Sequence, residues 1–518
     1  MPLRSVAPPS FADDSSAPDG SASTLYRQIA GLYEQAIVSG SLAPGMRLPS
    51  VRELCQRHGV SLTTALQVWR HLEERGYAEA RERVGYFVRR PAQAALLPAV
   101  REPELHEPLQ PDPRLFAGIN ERISVFLEKA RRAGPGVLDL GSAMPAPSLF
   151  DAAALNRLAI GLLREQPDVL VYGPSAPTTH VEFQQAMARH ALGFGLSLAP
   201  DHIGATHGNS EAVNLALDAV AEPGDVIAVE SPTFFGILQA IEVRGLRALE
   251  IPCSPRTGIS LEALELAARN EPRLKAVVVV PHLQMPLGSV MPDSHKERLV
   301  ALCTEHGLAL IEDDIYREFV ESPQPLRPAK AWDRPDTEGQ VIYCASLSKS
   351  FAPGLRQGWM SAGRWHARVQ MLKFARTRNM QSWSQLLAAR SVGSPAYERH
   401  LRRMRVQLRE QREAAARAIA RYFPPGTRLS LPPGGISLWM ELPPGLSSTR
   451  LYDQALARGI RVAPGPMFSN TGRYERFLRM SCGMPFTEQV ESGYRTLGEL
   501  LAQQLTPASG RPSAGKRA

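Results

Sequence analysis

Lys349 stands in SLSKSFAPGLR, between Ser348 and Ser350 and seven residues ahead of Arg356. Only seven of the 518 residues are lysine, so a lysine among hydroxyls is a selective placement in a chain that otherwise uses arginine. A lysine amine attacks carbonyls when burial or nearby positive charge keeps it unprotonated part of the time. Ser346, Ser348 and Arg356 add two hydroxyls and a guanidinium, a set that can hold a phosphate. The plainer alternative is a surface lysine in a polar loop.

Other segments supply matching chemistry. In LALIEDDIYREF, Asp313 falls at a predicted strand end and Tyr316 follows three residues later, a carboxylate and a phenol; the alternative is a solvated acidic turn. GATHGNSEAVNLAL opens an apolar-periodic helix on small polar residues. Asn209 and Ser210 fall at its N-terminus, where phosphates bind readily and where simple capping is the alternative. ESPTFFG offers Phe234 to stack on a planar ring or to fill core, and FLRMSC offers Arg479 for a carboxylate or for a strand edge. Lysine, phosphate cradle, ring-stacking aromatic, carboxylate for a pyridine nitrogen and phenol for a ring oxygen are together the requirements of pyridoxal 5'-phosphate.

These residues need a scaffold. VIAVE at 226–230, KAVVVV at 275–280, LALIEDD at 308–314 and VIYCAS at 341–346 read as strands separated by helical segments, which argues for a mostly parallel βαβ sheet. A helix is expected over 117–132. After 362 the chain is helical first and then strand-like around GGISLWMELP and FLRMSC, a smaller C-terminal α+β region. No apolar run approaches the roughly 20 residues of a membrane span. The N-terminus has no apolar signal-peptide core. The five cysteines form no CxxC pair and the histidines no HExxH, so neither a disulfide framework nor a metal site is expected, and a cytoplasmic protein fits.

The first 90 residues carry a different message. Net charge is +8, and residues 23–90 hold ten arginines against six glutamates with no lysine, which points to an anionic partner. LYRQIAGLYEQAI places Leu25, Ile29, Leu32 and Ala36 at helical spacing. Ser50 and Glu53 form a capping-box pattern, Gly59 ends that helix, Ser61 can cap a second, and YAEARERVGYFVRR reads as a two-stranded wing. This is helix–turn–helix–wing order. On the second helix Ala65, Val68, Trp69 and Leu72 share one stripe, leaving Thr63, Gln67 and Arg70 opposite to face a major groove; Gln can read adenine and Arg guanine. Arg52 and Ser61, and Arg83 at the wing tip, complete the candidate DNA contacts. The alternative is a solvated basic face.

The module in GSLAPGMRLPSVREL and GVSLTTALQVW resembles a GntR-type winged helix, with Leu62 where that family often has arginine. Residues 116–505 resemble a class I aminotransferase of fold type I, a pyridoxal-phosphate-dependent transferase with a mostly parallel sheet, helices on both faces and a small C-terminal α+β domain. That resemblance implies Lys349 as the Schiff-base lysine, Asp313 on the pyridine nitrogen and Tyr316 on the ring oxygen. It further implies Asn209, Ser210, Ser346, Ser348 and Arg356 on the phosphate, Phe234 on the ring, Arg479 on an effector or substrate carboxylate, and Tyr172 reaching a neighbouring subunit's phosphate. Met285 stands where the family carries an asparagine for the ring oxygen, with Gln284 beside it, and Gln357 where an apolar residue is usual. A Pro-rich linker at 91–115 joins the two parts, with polar tails at 1–22 and 506–518. The whole arrangement is similar to the MocR subgroup of bacterial regulators. It implies a cytoplasmic, nucleoid-associated transcriptional regulator that binds double-stranded operator DNA, senses the cofactor or a small amine or amino-acid effector through Lys349, and forms a head-to-tail, domain-swapped homodimer. Two alternatives stay open: a working aminotransferase carrying a DNA-binding module, and a repressor whose large domain has lost its cofactor.

Overall fold

The computed structural model describes residues 25–505 apart from 82–83, 90–96, 99, 101–117, 135, 172–178, 323–325 and 335–337. The chain divides into two compact units, Met1–Pro91 and Ala92–Ala518. The expected tails, most of the expected linker, Tyr172 and Arg83 lie outside the described residues.

In the smaller unit, α1 (Leu25–Val38), α2 (Val51–His58) and α3 (Leu62–Glu74) enclose Trp69, which is fully buried. The capping box is present: the Ser50 amide donates to Glu53 Oε2 at 2.7 Å and the Glu53 amide to Ser50 Oγ at 3.3 Å. Gly59 ends α2 in the left-handed region at φ 63°. Strands β1 (Ala78–Arg81) and β2 (Gly85–Val88) pair antiparallel as the wing. The buried face of α3 is the expected Ala65, Val68, Trp69 and Leu72. On α1 the buried face is instead Ile29, Ala30, Tyr33 and Ile37, while Leu25 and Leu32 are 57% and 58% exposed. The two candidate stripes have the same helical period and differ by one residue's rotation. The Tyr33 ring, edge-on to Trp69 at 5.0 Å, decides between them.

The larger unit begins with α4 (Ile119–Arg132), β3 (Leu138–Asp139), α5 (Ala152–Glu165) and α6 (Val181–Leu192). The main sheet follows: β4 (Ile203–His207), then α7 (Gly208–Val220), β5 (Val226–Ser231), α8 (Phe235–Glu242), β6 (Arg247–Ser254), β7 (Gly258–Ile259), β8 (Leu274–Val279), β9 (Ala309–Asp313), β10 (Val341–Ser346) and β11 (Gln357–Ser361). Its order is β4–β11–β10–β9–β8–β5–β6–β7. The central strands β6, β5, β8, β9 and β10 run parallel, and β11 is antiparallel to both neighbours. Strands β5, β9 and β10 are buried at every position, as a sheet covered on both faces requires. A long helix, Pro395–Tyr422, leads to a second sheet of β12 (Arg428–Ser430), β13 (Ser437–Glu441), β15 (Ala463–Pro464) and β16 (Phe477–Ser481), while β14 (Ile460–Arg461) pairs with β3.

The stretch read as a linker is pinned at one point. The Leu429 amide donates to the Pro98 carbonyl at 2.8 Å, the Val100 amide donates to Ser430 Oγ at 3.1 Å, and Val100 is buried in the core of the larger unit. A β-branched apolar side chain with a strand edge to pair against packs where a free spacer would not.

Candidate functional site

Parallel pairing brings the carboxyl ends of β5, β9 and β10 to one edge, with Cys344 opposite Asp313 in register, and α7 starts at that edge directly after β4. Open α/β sheets bind ligands there. A cavity of about 810 Å³ opens at this edge, lined by Asn209, Ser210, Phe234, Asp313, Tyr316, Ser346, Ser348, Lys349 and Arg356. An adjoining cavity of about 720 Å³ holds Arg479 and shares Ala143, Phe234 and Lys349 with the first. Every described large-domain candidate therefore lines one or both.

Lys349 Nζ donates to the Ala143 carbonyl at 2.7 Å and lies 2.7 Å from Met144 Sδ. Burial first, then the Arg479 and Arg356 cations, bring its pKa down to about 8, with Asp313 opposing. Burial, reinforced by Asp314, pushes the Asp313 carboxyl up to about 7, against hydrogen bonds from the Ile315 amide and Asn209. Its neighbour Asp314 projects into a different environment. It accepts from Tyr343 Oη at 2.9 Å, pairs with Arg317 and lies 2.6 Å from His282 Nδ1; against burial, the Arg317 cation and then His282 hold its pKa far below the usual carboxylate range. The DD pair thus splits into one carboxylate for the cavity and one for a buried ion network. His282, Glu312 and Asp314 have metal-ligand geometry, but Arg317 and Lys296 already supply the cations there. Burial raises the Tyr316 phenol above its ordinary value, and its ring centroid lies 6.0 Å from Lys349 Nζ.

The phosphate-binding candidates form a shaped cradle. Ser346 Oγ donates to Ser348 Oγ and the Ser348 amide donates back to Ser346 Oγ, both at 3.1 Å. Gly208, at φ 74°, precedes Asn209, and a Cβ there would sit 2.8 Å from Arg356 Nη2. Glycine therefore leaves the space the guanidinium occupies. Asn209 Oδ1 is buried without a partner. A buried carboxylate lacking a paired cation, an orphaned amide oxygen, a lysine of lowered pKa and an anion cradle at a helix N-terminus fit pyridoxal 5'-phosphate.

Arg479 is fully enclosed. One of its nitrogens donates to the Gly141 carbonyl, while Nε and Nη1 have no partner. Burial lowers its pKa to about 10. Met285 lines the first cavity. Gln284 does not compensate for it, because its amide donates to the Pro232 carbonyl at 2.7 Å and its oxygen accepts from the Leu287 amide at 3.0 Å. Gln357 is buried in β11 and partnered by the Gly358 carbonyl and Ser384, so its polarity is structural. Sequence reasoning missed Ala143 and Met144, the two groups that Lys349 touches, because they lie some two hundred residues away. Gly208 was the available signal for the cradle.

In the smaller unit Thr63, Gln67 and Arg70 are exposed on α3, and Arg52 is exposed on α2. Ser61 is exposed and also caps α3, accepting from the Thr64 amide at 3.2 Å. Leu62 is 59% exposed. As the first residue of α3, it lies ahead of the turn on which the stripe begins at Ala65.

The comparisons with known proteins agree with this geometry. Residues 136–493 match the model of aminotransferase class I and II, and residues 25–88 that of bacterial regulatory proteins, gntR family. The uncharacterized HTH-type transcriptional regulator YdcR of Escherichia coli is 36% identical over 93% of this chain and 99% of its own. The 2-aminoadipate transaminase of Thermus thermophilus is 30% identical over 71% of this chain and 90% of its own. The structure of LysN, α-aminoadipate aminotransferase of Thermus thermophilus, complexed with N-(5'-phosphopyridoxyl)-L-leucine, superposes with TM-score 0.66 at 29% identity, covering 75% of this chain and 98% of that one. Among the described residues no helix is long and apolar enough to cross a membrane. The chain therefore belongs to the class I and II aminotransferase family, with that family's cofactor pyridoxal 5'-phosphate, and joins to it a DNA-binding unit of the gntR family of bacterial regulators.

Proposed function

We propose that this regulator senses a small amino compound at Lys349 and reports it as a change in affinity for operator DNA. The observation that carries the reading is the position of Lys349 on the wall shared by the two cavities, with the cradle on one side and the Arg479 guanidinium, its Nε and Nη1 without partners, on the other. Bound pyridoxal 5'-phosphate supplies an electrophilic carbonyl and an electron-withdrawing ring. Toward it, Lys349 offers its amine, Asp313 a carboxylate for the pyridine nitrogen and Tyr316 a phenol for the ring oxygen. Phe234 offers a ring face, and Asn209, Ser210, Ser346, Ser348 and Arg356 hold the phosphate. Arg479 takes the carboxylate of an amino-acid effector as a charge-assisted pair.

The DNA face in this reading is Arg52, Ser61, Thr63, Gln67 and Arg70, with Arg83 on the wing. The protein acts as a head-to-tail homodimer in the cytoplasm, associated with the nucleoid, and Tyr172 reaches the partner's phosphate. Exposed apolar side chains at Leu170, Val171 and Val181 support a second copy covering this region. A single winged helix also reads too few base pairs for a useful specificity ratio.

The second reading, a working aminotransferase, is supported by the convergence of Lys349, Asp313 and Arg479. Met285 and the diversion of Gln284 weigh against efficient turnover, since they remove a donor from the ring-oxygen side. Titration of an operator fragment with and without cofactor and amino compounds separates the two. Coupling of about 1–3 kcal/mol would change DNA affinity roughly 5- to 150-fold. Unchanged affinity in all states, with Lys349→Ala behaving as the wild type, would refute the sensor. Rapid multiple turnover with one amino acid would favour the enzyme.

A further inference from the structure

The second cavity shows which amino compounds it suits. Beyond Arg479, its walls are Phe126, Leu127, Phe235, Tyr452, Val462 and Met467, and none of its lining residues is Asp or Glu. A cationic side chain would therefore enter without a counter-charge. Apart from Lys349, an anionic side chain finds one further cation, Arg461, and that one is engaged: Nε donates to Asp139 Oδ1 at 2.9 Å and Nη2 pairs with Asp139 Oδ2. The hydroxyl of Tyr452 is also committed, donating to the Phe126 carbonyl at 2.6 Å. What remains is apolar surface facing a guanidinium with two unpartnered nitrogens and the lysine amine. Buried charge without a partner is strongly disfavoured, whereas each methylene buried against such a wall is favourable.

We infer that the effector is an α-amino acid with an apolar side chain, held by its carboxylate on Arg479 and by its side chain against α4, Phe235 and Met467. The inference rests on the sensor reading above and specifies its ligand class. α4 is central to it. Phe126 and Leu127 form part of the wall. The helix N-terminus has no cap of its own side chains and is held instead by Glu242 of α8, which accepts from the Gly118 amide at 2.7 Å and the Asn120 amide at 2.9 Å. This gives the selecting wall a fixed position.

The test uses the full chain in two states. Cofactor-free protein is titrated by calorimetry with unreactive carboxylates from propanoate to hexanoate. Cofactor-loaded protein is titrated with alanine, 2-aminobutyrate, norvaline, norleucine, phenylalanine, glutamate and lysine, and an operator shift is run alongside. Affinity is expected to rise about fourfold per methylene in both series. Glutamate and lysine are expected to bind roughly a hundredfold more weakly than norleucine. Leu127→Arg, at a 55% exposed position that tolerates a long polar side chain, should weaken norleucine and strengthen glutamate. A flat homologous series, or charged amino acids binding as tightly as apolar ones while still shifting DNA affinity, overturns the ligand class and leaves the sensor reading standing. No response to any amino compound, in binding or in the DNA shift, overturns both.

Discussion

Gly208→Ala separates the cradle's contribution to binding from its contribution to folding. The substitution has two effects. First, alanine must hold φ 74°, the left-handed region, at a cost of about 1–2 kcal/mol to stability. Second, the new Cβ would lie 2.8 Å from Arg356 Nη2, inside van der Waals contact. The contacted atom is the far end of a flexible side chain, so the clash is relieved by moving the guanidinium rather than the backbone. Folding is spared, but the guanidinium leaves the position from which it would hold the phosphate. A hydrogen bond between charged groups contributes about 1.5–3 kcal/mol, so its loss should weaken the cofactor roughly 10- to 150-fold. Gly358→Ala is the contrast. There a Cβ would meet the Gly208 backbone carbon at 2.7 Å, which cannot swing away, as well as Thr206 Oγ1 at 2.8 Å. It should lower the melting temperature of cofactor-free protein more than Gly208→Ala does. The assay is cofactor titration of stripped protein, read by its visible absorbance, with thermal unfolding of the same samples. If Gly208→Ala binds the cofactor as the wild type does, Arg356 does not hold the phosphate and the cradle is misassigned.

Three further outcomes follow. Lys349 must lose its proton to react, and its pKa is brought down to about 8, so the rate of cofactor attachment should climb with pH until about 8 and then level; Arg479→Met removes one of the cations responsible, and stopped-flow absorbance should show the inflection moved to higher pH. Trp69→Ala should cost about 3–5 kcal/mol in the smaller unit, abolishing DNA binding while the larger unit keeps its cofactor absorbance, and loss of both signals would refute their independence. Leu62, exposed at the start of α3, should contact a thymine methyl, so deoxyuridine for thymine at one half-site position should weaken wild-type binding and leave Leu62→Ala unaffected in a gel shift; no sensitive position would refute the contact.

Much of the site was legible because its residues sit at strand ends and helix starts, where local pattern fixes position: Lys349 after β10, Asp313 closing β9, Asn209 opening α7. Asp313 and Asp314 show the limit of that reasoning. Asp313 ends β9 and Asp314 lies just past it, so strand alternation does not assign their faces; the buried His282, Arg317 and Tyr343 identify Asp314 as the one turned away from the cavity. The groups touching Lys349 come from Ala143 and Met144, and no local pattern announces a contact across that separation. The stripe on α1 failed for a related reason: period fixes spacing, whereas phase is set by what the helix packs against.

Native proteins rarely leave buried donors and acceptors unpaired, and three of the exceptions among the described residues belong to side chains lining the two cavities. Arg479 Nε and Nη1 and Asn209 Oδ1 are orphaned around one lysine whose amine currently rests on Ala143 and Met144. Lys349 makes those two contacts from the wall that the two cavities share. Whatever decides where the amine lies therefore also decides whether residues 143–144 are held. That segment is in turn fixed against the strand carrying Arg479, since the Ala146 amide donates to the Gly483 carbonyl at 2.6 Å and a Cβ on Gly483 would meet the Met144 carbonyl oxygen at 2.6 Å. Lysine, the 143–146 segment and the chain just past the carboxylate-binding strand thus form one contiguous packed network between the two cavities.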